Sequence, residues 1–428
     1  MADTRRISRR TFLESAALGA GGLALGRHRT LAERLLTPAL SDPSDSGIDH
    51  VVLVMMENRS FDHTLGWLPG ADGRQAGLTY FDRAGAPHDT HALAPDYQGC
   101  GHPDPDHSYE GGRVEYNQGL CDGWLRAGEN DDYAIGYYGA DDLPFFAHAA
   151  TDWTACDRYF AAIMGPTFPN RMYQHAAQTD RLSNTFDLST LPTIWDRLAD
   201  AGLTGRYYFQ DAPFLALWGA KYIPIGDNIR SFFLACQTGQ LPHVSYVDPR
   251  FIEELTGTTN DDHPHADVRN GQALMNQIYE AVTRSPAWKR TLLVINYDEW
   301  GGFFDHVPPQ RAPIPPATRA AGDTDGLRGF RVPCLIISPF AQRRFVSHEV
   351  FDHTSVLRFI EWRFGLQPLT KRDRTANNLA NVLDFSRPKR AAPHYDVPPG
   401  PFGTPCPSSE ANPFIVVREI ARSFGWPV

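Results

Sequence analysis

Two apolar segments of the sequence end in side chains that could bind a metal ion. Glu57 and Asn58 close the run HVVLVMMEN, and Asp298 and Glu299 close the run TLLVINYDE. Such runs are typical of buried parallel strands, and ligand-binding groups collect at the carboxyl ends of those strands. Carboxylate and amide oxygens suit a hard divalent cation. One pair alone is more typical of a solvated strand end. Two such pairs make a metal site and solvated strand ends more evenly supported.

A threonine lies at the start of an expected helix in GPTFPNRMYQ, Gly165 to Gln174, because proline is favoured in a first helical turn. Thr167 could simply cap this helix. Its hydroxyl could instead attack phosphorus, because the helix start offers N–H groups and a positive dipole to a phosphate. Coordination to a cation would activate the hydroxyl as a nucleophile. Both roles use the same geometry, so the residues alone leave them open.

Histidines recur in loops that are rich in glycine and aspartate, and in two later segments. A single such histidine is more often structural, but several together suggest donors to an anion or an acid for a leaving group. They are His102 and His107 in CGHPDPDHSYEGG, His263 and His265 in NDDHPHADVRNG, His306 in GGFFDHVPP and His353 in VFDHTSVLRF.

Strands that alternate with helices predict an α/β fold with a largely parallel sheet to position these groups. RVPCLIISPF adds a buried strand, and NGQALMNQIYEAV and HTSVLRFIEWRF have helical patterns. Residues 78–143 are rich in Gly, Asp, Pro and Tyr, so we expect long ordered loops over the scaffold. After Leu366 we expect a strap rich in proline and arginine, and then an amphipathic helix, NPFIVVREIARSFG, that packs back on the domain.

The composition and the N-terminus restrict the expected partners and location. The 428-residue chain has a formal net charge of -10 and no long basic run beyond its N-terminus, so nucleic acid is not expected. TRRISRRTFLESAALGAGGLALGRHR is typical of a signal peptide, and SRRTFL within it resembles the bacterial twin-arginine signal. We expect residues 1–40 to be this signal and a linker that engage the twin-arginine export machinery. The product would be secreted, periplasmic or cell-wall associated; a basic amphipathic tail is the alternative.

The cysteines indicate no metal site but leave a disulfide open. None of the six belongs to a C-x-x-C pair, so structural zinc is not expected. Cys100 and Cys121 flank one loop-rich segment and are the first candidates for a disulfide in an exported chain. Six buried free thiols are almost as compatible with the sequence.

Four longer stretches together resemble the bacterial phosphoesterase family, which includes non-haemolytic phospholipases C and acid phosphatases. They are VVLVMMENRSFDHTLGWLPG, ADDLPFFAHAATDWTACDRYFAAIMGPTFPNRMY, YDEWGGFFDHVPP and FDHTSVLRFIEWRFGL. The resemblance implies an alkaline-phosphatase-like α/β fold, with a largely parallel central sheet flanked by helices and long loops over the active site. It implies a single phosphoesterase domain over residues 48–428, ending in the proline-rich strap and the C-terminal helix.

The resemblance also implies roles for individual residues. Trp300 departs from the family, whose members often have a polar residue or histidine there, so it could narrow the pocket or add a stacking surface. The implied metal ligands are Glu57, Asn58, Thr167, Asp298 and Glu299; the catalytic residues are Thr167, His107 and His263; and the substrate-binding residues are Asn170, His306 and His353.

These expectations combine into an exported, metal-dependent phosphoric ester hydrolase of the phospholipase C type, acting through a phosphothreonine intermediate. Its substrate is a phosphoester, of which phospholipid at a membrane surface is one form. An acid phosphatase for small phosphomonoesters is the alternative, and a non-catalytic binding protein is a third interpretation. Sulfatase activity is disfavoured, because threonine cannot undergo the conversion that sulfatases need. The oxygen ligands suit Ca²⁺, Mg²⁺ or Mn²⁺ better than Zn²⁺ without excluding zinc.

Overall fold

A computed structural model of the chain describes residues 40, 42–252, 257–406 and 412–428. The expected signal peptide lies almost entirely outside the described residues. Asp42–Val428 form one compact unit. No helix within the described ranges is both long and apolar enough to cross a bilayer.

The strands are short except at the centre of the main sheet. They are β1 His50–Met56, β2 Thr79–Phe81, β3 Pro87–Asp89, β4 His91–Ala92, β5 Gly136–Tyr137, β6 Thr154–Cys156, β7 Tyr159–Phe160, β8 Gly205–Phe209, β9 Gly226–Asn228, β10 Val244–Val247, β11 Thr291–Tyr297, β12 Cys334–Ile337, β13 Phe345–Ser347 and β14 Phe351–Asp352.

Helices lie between these strands and after the last one. The α-helices are α1 Phe61–Leu65, α2 Tyr109–Tyr116, α3 Pro144–Asp152, α4 Thr167–Ala176, α5 Ile194–Asp200, α6 Ile229–Thr238, α7 Val268–Thr283, α8 Pro316–Ala320, α9 His353–Phe364, α10 Lys371–Arg374 and α11 Pro413–Phe424. Short 3-10 helices span Pro43–Ser46, Asn117–Gly119, Asp132–Ile135, Phe214–Trp218, Ile223–Ile225, Trp288–Arg290 and Leu379–Val382.

The main sheet has eight strands in the order β13-β6-β12-β11-β1-β10-β8-β9. Strand β12 runs antiparallel to both of its neighbours, and the other neighbouring strands pair in parallel. The predicted α/β fold with a largely parallel central sheet is therefore confirmed. The two central strands are buried along almost their whole length, because their apolar runs are covered on both faces.

Residues 78–143 are largely loops, as the sequence predicted, but also include the short strands β2 to β5, two 3-10 helices and the helix α2. This helix was not predicted because it contains Gly111 and Gly112, which are weak helix formers. Packing requires a residue without a side chain at Gly112, since a Cβ there would lie 2.7 Å from Met164 and 2.8 Å from Trp300. The Ser108 hydroxyl caps the helix by accepting from the Gly111 N–H at 2.9 Å.

The disulfide joins Cys100 to Cys406, so the predicted Cys100–Cys121 pair and the all-thiol alternative are both wrong. The reason is topological: the C-terminal strap passes beside the loop that contains Cys100. Cys121 is a free, buried thiol that packs instead with Trp124 and Phe330 in a separate apolar cluster.

Candidate active site

The carboxyl ends of β1 and β11 lie side by side. These strands pair in parallel with Met56 opposite Tyr297, and the Asp298 N–H donates to the Met56 carbonyl at 3.2 Å. The predicted ligands therefore meet at one edge of the sheet: Glu57 and Asn58 after β1, Asp298 and Glu299 after β11. All are at most 3% exposed, so they are not solvated strand ends.

Some polar side-chain atoms at these strand ends have no hydrogen-bond partner among the described residues. Within the described residues, nothing hydrogen-bonds to the side-chain oxygen or nitrogen of Asn58, or to Oε1 of Glu299. Burial raises the pKa of Glu299 to about 8. Buried polar groups without partners are costly, and the oxygens among them are the kind that a divalent cation binds. The spare oxygens of Asn58 and Glu299 therefore fit the predicted metal, although the carboxylates of Glu57, Asp298 and Glu299 do not bring three ligand atoms within 4.8 Å of one another in the described structure.

Thr167 is the first residue of α4, and its hydroxyl donates to Oε1 of Glu57 at 3.1 Å. The alternative role as a helix cap is wrong, because Pro166 occupies the cap position and no side chain caps from there. Asn184 Oδ1 instead accepts from the Phe168 N–H at 2.8 Å. That bond occupies one of the N–H groups that we expected to face phosphoryl oxygens.

Asn170 fixes the turn in front of Thr167. Its Nδ2 donates to the carbonyl oxygens of Ile163, Gly165 and Pro166 at 3.1, 2.7 and 3.2 Å, and its Oδ1 accepts from the Ile163 N–H at 3.1 Å. Both the oxygen and the nitrogen of the side-chain amide are therefore hydrogen-bonded to the backbone, and Asn170 is fully buried. The predicted donation from Asn170 to the substrate therefore conflicts with the structure, which gives it a positioning role.

Arg171, one turn after Thr167, was not among the predicted site residues. Its fully buried guanidinium lies 2.8 Å from Asp298, 2.9 Å from Asp248 and 3.7 Å from Glu57. The Arg171 guanidinium thus contacts one residue of each predicted ligand pair from the helix that begins at Thr167. Burial disfavours its charge, but the carboxylates, led by Asp298, raise its pKa. The spacing of four residues from Thr167 on one helix face was the signal available in the sequence.

The two predicted catalytic histidines lie close to each other, and His107 also lies close to Glu299. Nε2 of His107 lies 3.8 Å from Oε1 of Glu299, and the rings of His107 and His263 are 6.2 Å apart. The Nδ1 atoms pair at 2.7 Å with the carbonyls of Pro105 and Pro264. These contacts orient both imidazoles so that Nε2 is the atom turned towards the carboxylates.

Asp104 is a further acidic residue that sequence reasoning did not select. It lies 3.5 Å from Nε2 of His263, and ligand atoms of Asp104, His107 and His263 lie within 4.8 Å of one another. Burial lowers the pKa of His107, but Glu299 and Asp104 outweigh it and raise the value to about 10. For His263, burial dominates and lowers the pKa to about 4. The pKa values of the two rings are thus shifted in opposite directions.

His353 supports the β11 tip from below. Its Nε2 pairs with the backbone oxygen of Asp298 at 2.6 Å, and its Nδ1 with the Tyr159 hydroxyl at 3.2 Å. Burial lowers the pKa of His353 to about 4. Both ring nitrogens are engaged inside the protein, so the predicted contact between His353 and the substrate conflicts with the structure.

His306 belongs to another buried cluster. Its Nδ1 contacts Asp62, and its Nε2 lies 3.2 Å from Asp72. Arg331 donates to Asp62 at 2.9 Å and to Asp305 at 2.8 Å. The His306 nitrogens are thus engaged by carboxylates that are not predicted site residues, so its predicted substrate contact also conflicts with the structure.

Trp300 is fully buried and forms no stacking surface in a pocket. Its Nε1 donates to the Glu115 carboxylate at 2.7 Å, and its ring centroid lies 5.3 Å from that of Phe330. The expected stacking surface is therefore wrong, whereas the expectation that Trp300 narrows the pocket stays a prediction. The residue instead joins the β11 tip to α2, the helix that follows His107.

Comparisons with known proteins identify the family to which the chain is similar. The Phosphoesterase family model matches residues 48–367. Non-specific phospholipase C3 of Arabidopsis thaliana is 30% identical over 403 aligned positions, covering 82% of this chain and 76% of that protein. Phospholipase C A of Mycobacterium tuberculosis (strain CDC 1551 / Oshkosh) is 29% identical over 461 aligned positions, covering 89% and 86%. The solved phosphonate monoester hydrolase of Agrobacterium radiobacter is similar at 10% identity and a TM-score of 0.39, covering 79% and 78%.

Proposed function

The chain belongs to the Phosphoesterase family and hydrolyses phosphoric ester bonds, and from this premise we propose that it is an exported, metal-dependent enzyme of the phospholipase C type. It acts through a phosphothreonine intermediate. The observation that carries this proposal is the hydrogen bond from the Thr167 hydroxyl to Glu57, at the point where two buried acidic strand tips meet.

Thr167 is the proposed nucleophile. Its Oγ1 attacks phosphorus in line, with the hydroxyl proton directed to Oε1 of Glu57. The bond from phosphorus to the alcohol oxygen breaks, and the alcohol leaves with a proton from His107, His263 or water. Water then attacks the phosphothreonine and releases phosphate or a phosphate monoester. Catalysis of this kind depends mainly on positioning and on stabilisation of charge.

A divalent cation is the proposed cofactor, held by oxygen atoms of Glu57, Asn58, Thr167, Asp298 and Glu299. When bound, it would make the Thr167 hydroxyl more acidic and offset phosphoryl charge. The oxygen donors favour Ca²⁺, Mg²⁺ or Mn²⁺ over Zn²⁺. Protein purified without chelator should contain about one equivalent by elemental analysis, and the Asp298→Asn variant should contain less. Full activity after exhaustive chelation, with no metal detected, contradicts this assignment.

Phospholipid is the proposed substrate, supported by the plant and mycobacterial relatives whose names describe phospholipases C. The test compares rates on phosphatidylcholine and on p-nitrophenyl phosphate with one metal-replete preparation. We expect faster release of diacylglycerol and phosphocholine, and the Thr167→Ala variant controls for contaminating activity. A rate that is measurable only on p-nitrophenyl phosphate would instead indicate an acid phosphatase.

Export through the twin-arginine pathway is proposed from Arg9 and Arg10. The Cys100–Cys406 disulfide supports an oxidising destination, because disulfides persist in such compartments. Replacing both arginines with lysine should leave the precursor in the cytoplasm. If the double-lysine form is exported normally, the proposed route is wrong.

A further inference from the structure

The C-terminal segment lies beyond the family-model match, which ends at residue 367, yet it contacts both sides of the candidate site. We propose that two pieces of it, residues 400–406 and 412–426, form a clamp that positions the loop of His107 and the helix of Thr167. We call these two pieces the C-terminal clamp. The inference rests on the proposed function, because it assigns positioning residues to the same site.

The first piece of the clamp is fastened to the loop that leads to His107. Cys406 forms the disulfide with Cys100, seven residues before His107 in the chain. Beside it, the Thr404 N–H donates to Oε1 of Gln98 at 2.9 Å, and Nε2 of Gln98 donates back to the Thr404 carbonyl at 2.9 Å. A covalent bond and two hydrogen bonds therefore hold this loop to the strap.

The segment that follows His263 is held both by the loop that leads to His107 and by the same piece of the clamp. Nε2 of Gln98 donates to the His265 carbonyl at 3.3 Å, and the His265 ring pairs with the His102 carbonyl at 2.9 Å. Asn270 accepts from the Phe402 N–H at 2.8 Å and donates to the Phe402 carbonyl at 3.1 Å. Both histidine-bearing loops are thus tied to one stretch of the strap.

The second piece of the clamp packs against the helix of Thr167. Phe414 lies in α11 and stacks on Phe251 with ring centroids 3.9 Å apart. It also meets Phe168, the residue after Thr167, at 5.6 Å. The Arg171 guanidinium lies over Phe251 at 4.7 Å and over Phe414 at 5.7 Å. Phe414 therefore contacts Phe168, which follows the proposed nucleophile, and Phe251, over which the Arg171 guanidinium lies.

These contacts matter because in-line attack requires the nucleophile and the proton donor to be held in register. His107 and Thr167 belong to separate parts of the fold, α2 and α4 being joined by a long connection. The clamp contacts both parts from outside the matched family domain. Its two pieces should therefore be separable by substitution, one affecting the His107 loop and the other the Thr167 helix.

The first arm of the test replaces both disulfide cysteines, as Cys100→Ser with Cys406→Ser, in the full chain. We expect kcat to fall by about 10- to 100-fold, the scale for a misplaced catalytic group. Amide hydrogen exchange should rise in residues 98–108 and stay unchanged in 167–176. Treating wild type with a dithiol should give the same result, since the disulfide becomes two thiols while the dithiol is oxidised to its own disulfide.

The second arm is Phe414→Ala, with Phe414→Leu as a milder variant in case the first fails to fold. Exchange should now rise in residues 167–176 and not in 98–108, with a fall in kcat. The matched control is Phe232→Ala, the same truncation of a fully buried phenylalanine on α6, beside Tyr208. It should lower the melting temperature comparably and keep kcat near the wild-type value.

Unchanged kcat and unchanged exchange in both clamp variants would overturn the inference, as would an equal loss of kcat in Phe232→Ala. Failure of the proposed function is recognised separately, because wild type would then hydrolyse none of the phosphoesters. The two exchange patterns remain measurable in that event. They support the clamp if each variant loosens only its own segment, and they contradict it if neither does.

Discussion

Two buried arginines organise two clusters of carboxylates in this protein, and a carboxylate of one cluster accepts a hydrogen bond from the proposed nucleophile. The Arg171 cluster comprises Arg171, Glu57, Asp248 and Asp298, and the Arg331 cluster comprises Arg331, Asp62, Asp305 and His306. Both guanidinium groups are fully buried and both lie within 3 Å of two carboxylates. Burial and charge pairing are therefore shared by a candidate reactive site and by a structural network.

The two regions are compared by the hydrogen bonds that their side-chain oxygens accept. In the Arg331 cluster, each carboxylate oxygen of Asp62 and Asp305 accepts at least one hydrogen bond. Beside the Arg171 cluster, the Asn58 amide and Oε1 of Glu299 have none from the described residues. Unpartnered buried oxygens are compatible with a ligand, but Asp157, whose carbonyl accepts from Arg331 at 2.9 Å, also leaves its Oδ1 without a hydrogen bond within the part of the chain that the structure describes. The Arg171 cluster is distinguished by the Thr167 hydroxyl, which donates to Glu57.

The Arg331 cluster includes a group with the right spacing for an ion, since ligand atoms of Asp62, Asp305 and His306 lie within 4.8 Å of one another. Arg331 already supplies the positive charge there, donating to both aspartates. Arg171 lies equally close to Asp298, a predicted ligand, so neither spacing nor a nearby guanidinium alone decides which region holds a metal.

The largest expected effect separates the hydroxyls of the two regions. Thr167→Ala should reduce turnover by roughly 10³-fold or more, the scale for a deleted nucleophile, while Thr167→Ser should keep substantial activity. The matched control is Thr64→Ala, a buried threonine beside the Arg331 cluster whose hydroxyl donates only to the Ser60 carbonyl. Specific activity corrected for the folded fraction is the measurement. Similar turnover in the two alanine variants would remove the distinction between the regions.

The next largest effect is expected from removing the Arg171 guanidinium. Arg171→Met should lower activity or metal affinity by about 10- to 100-fold, because partners that orient metal ligands have effects of this size. It should also destabilise the fold, since Asp248 and Asp298 lose their buried partner. Metal titration followed by calorimetry, with activity at saturating metal, checks this. Unchanged affinity and unchanged activity would show that Arg171 is only a brace.

Arg331→Met should affect stability and spare chemistry. Removing one partner of a buried ion pair costs about 3–5 kcal/mol of unfolding free energy, and Asp62 and Asp305 would both be left uncompensated. Activity per folded molecule should stay near wild type, as should the metal content. Denaturant unfolding and elemental analysis measure both quantities. A loss of metal from this variant would mean that the Arg331 cluster takes part in binding.

The smallest effect is a pH dependence in the structural cluster. Burial lowers the pKa of His306, but Asp62 and Asp305 outweigh it and raise the value above 6.5. The stabilisation from the charged ring is then fully present below the unfolded value and is lost as pH rises through the folded one. His306→Asn should therefore reduce stability more at acidic than at alkaline pH. An equal reduction at both ends, by denaturant unfolding, would contradict the assigned charge.

The sequence predicted what depends on local pattern. The apolar runs before Glu57 and Asp298 indicated two buried strands, and the proline after Phe168 indicated a helix that starts near Thr167. Their convergence follows from parallel pairing of the strands, which places their carboxyl ends at one edge. The two strands, the helix start and the convergence of the strand ends were thus predictable from the sequence.

The remainder depends on contacts between distant parts of the chain. Asp248 follows β10, whose four residues give a weak pattern, and it is recognisable as part of the site only through Arg171. His306 and His353 lie in family blocks, yet their roles are set by Asp62 and by the backbone of Asp298. Cys406 pairs with Cys100 because the strap returns across the domain, and no spacing in the sequence reports that path.

The central claim is that Thr167 carries the phosphoryl group during turnover. The direct measurement is mass spectrometry of the peptide containing Thr167, from metal-replete enzyme quenched in acid during steady-state hydrolysis. We predict phosphate on Thr167 in wild type, disappearing when the substrate is exhausted and absent from Thr167→Ala. Sustained hydrolysis by wild type with no phosphate on Thr167 at any time point, together with near wild-type turnover in folded Thr167→Ala, would contradict the account.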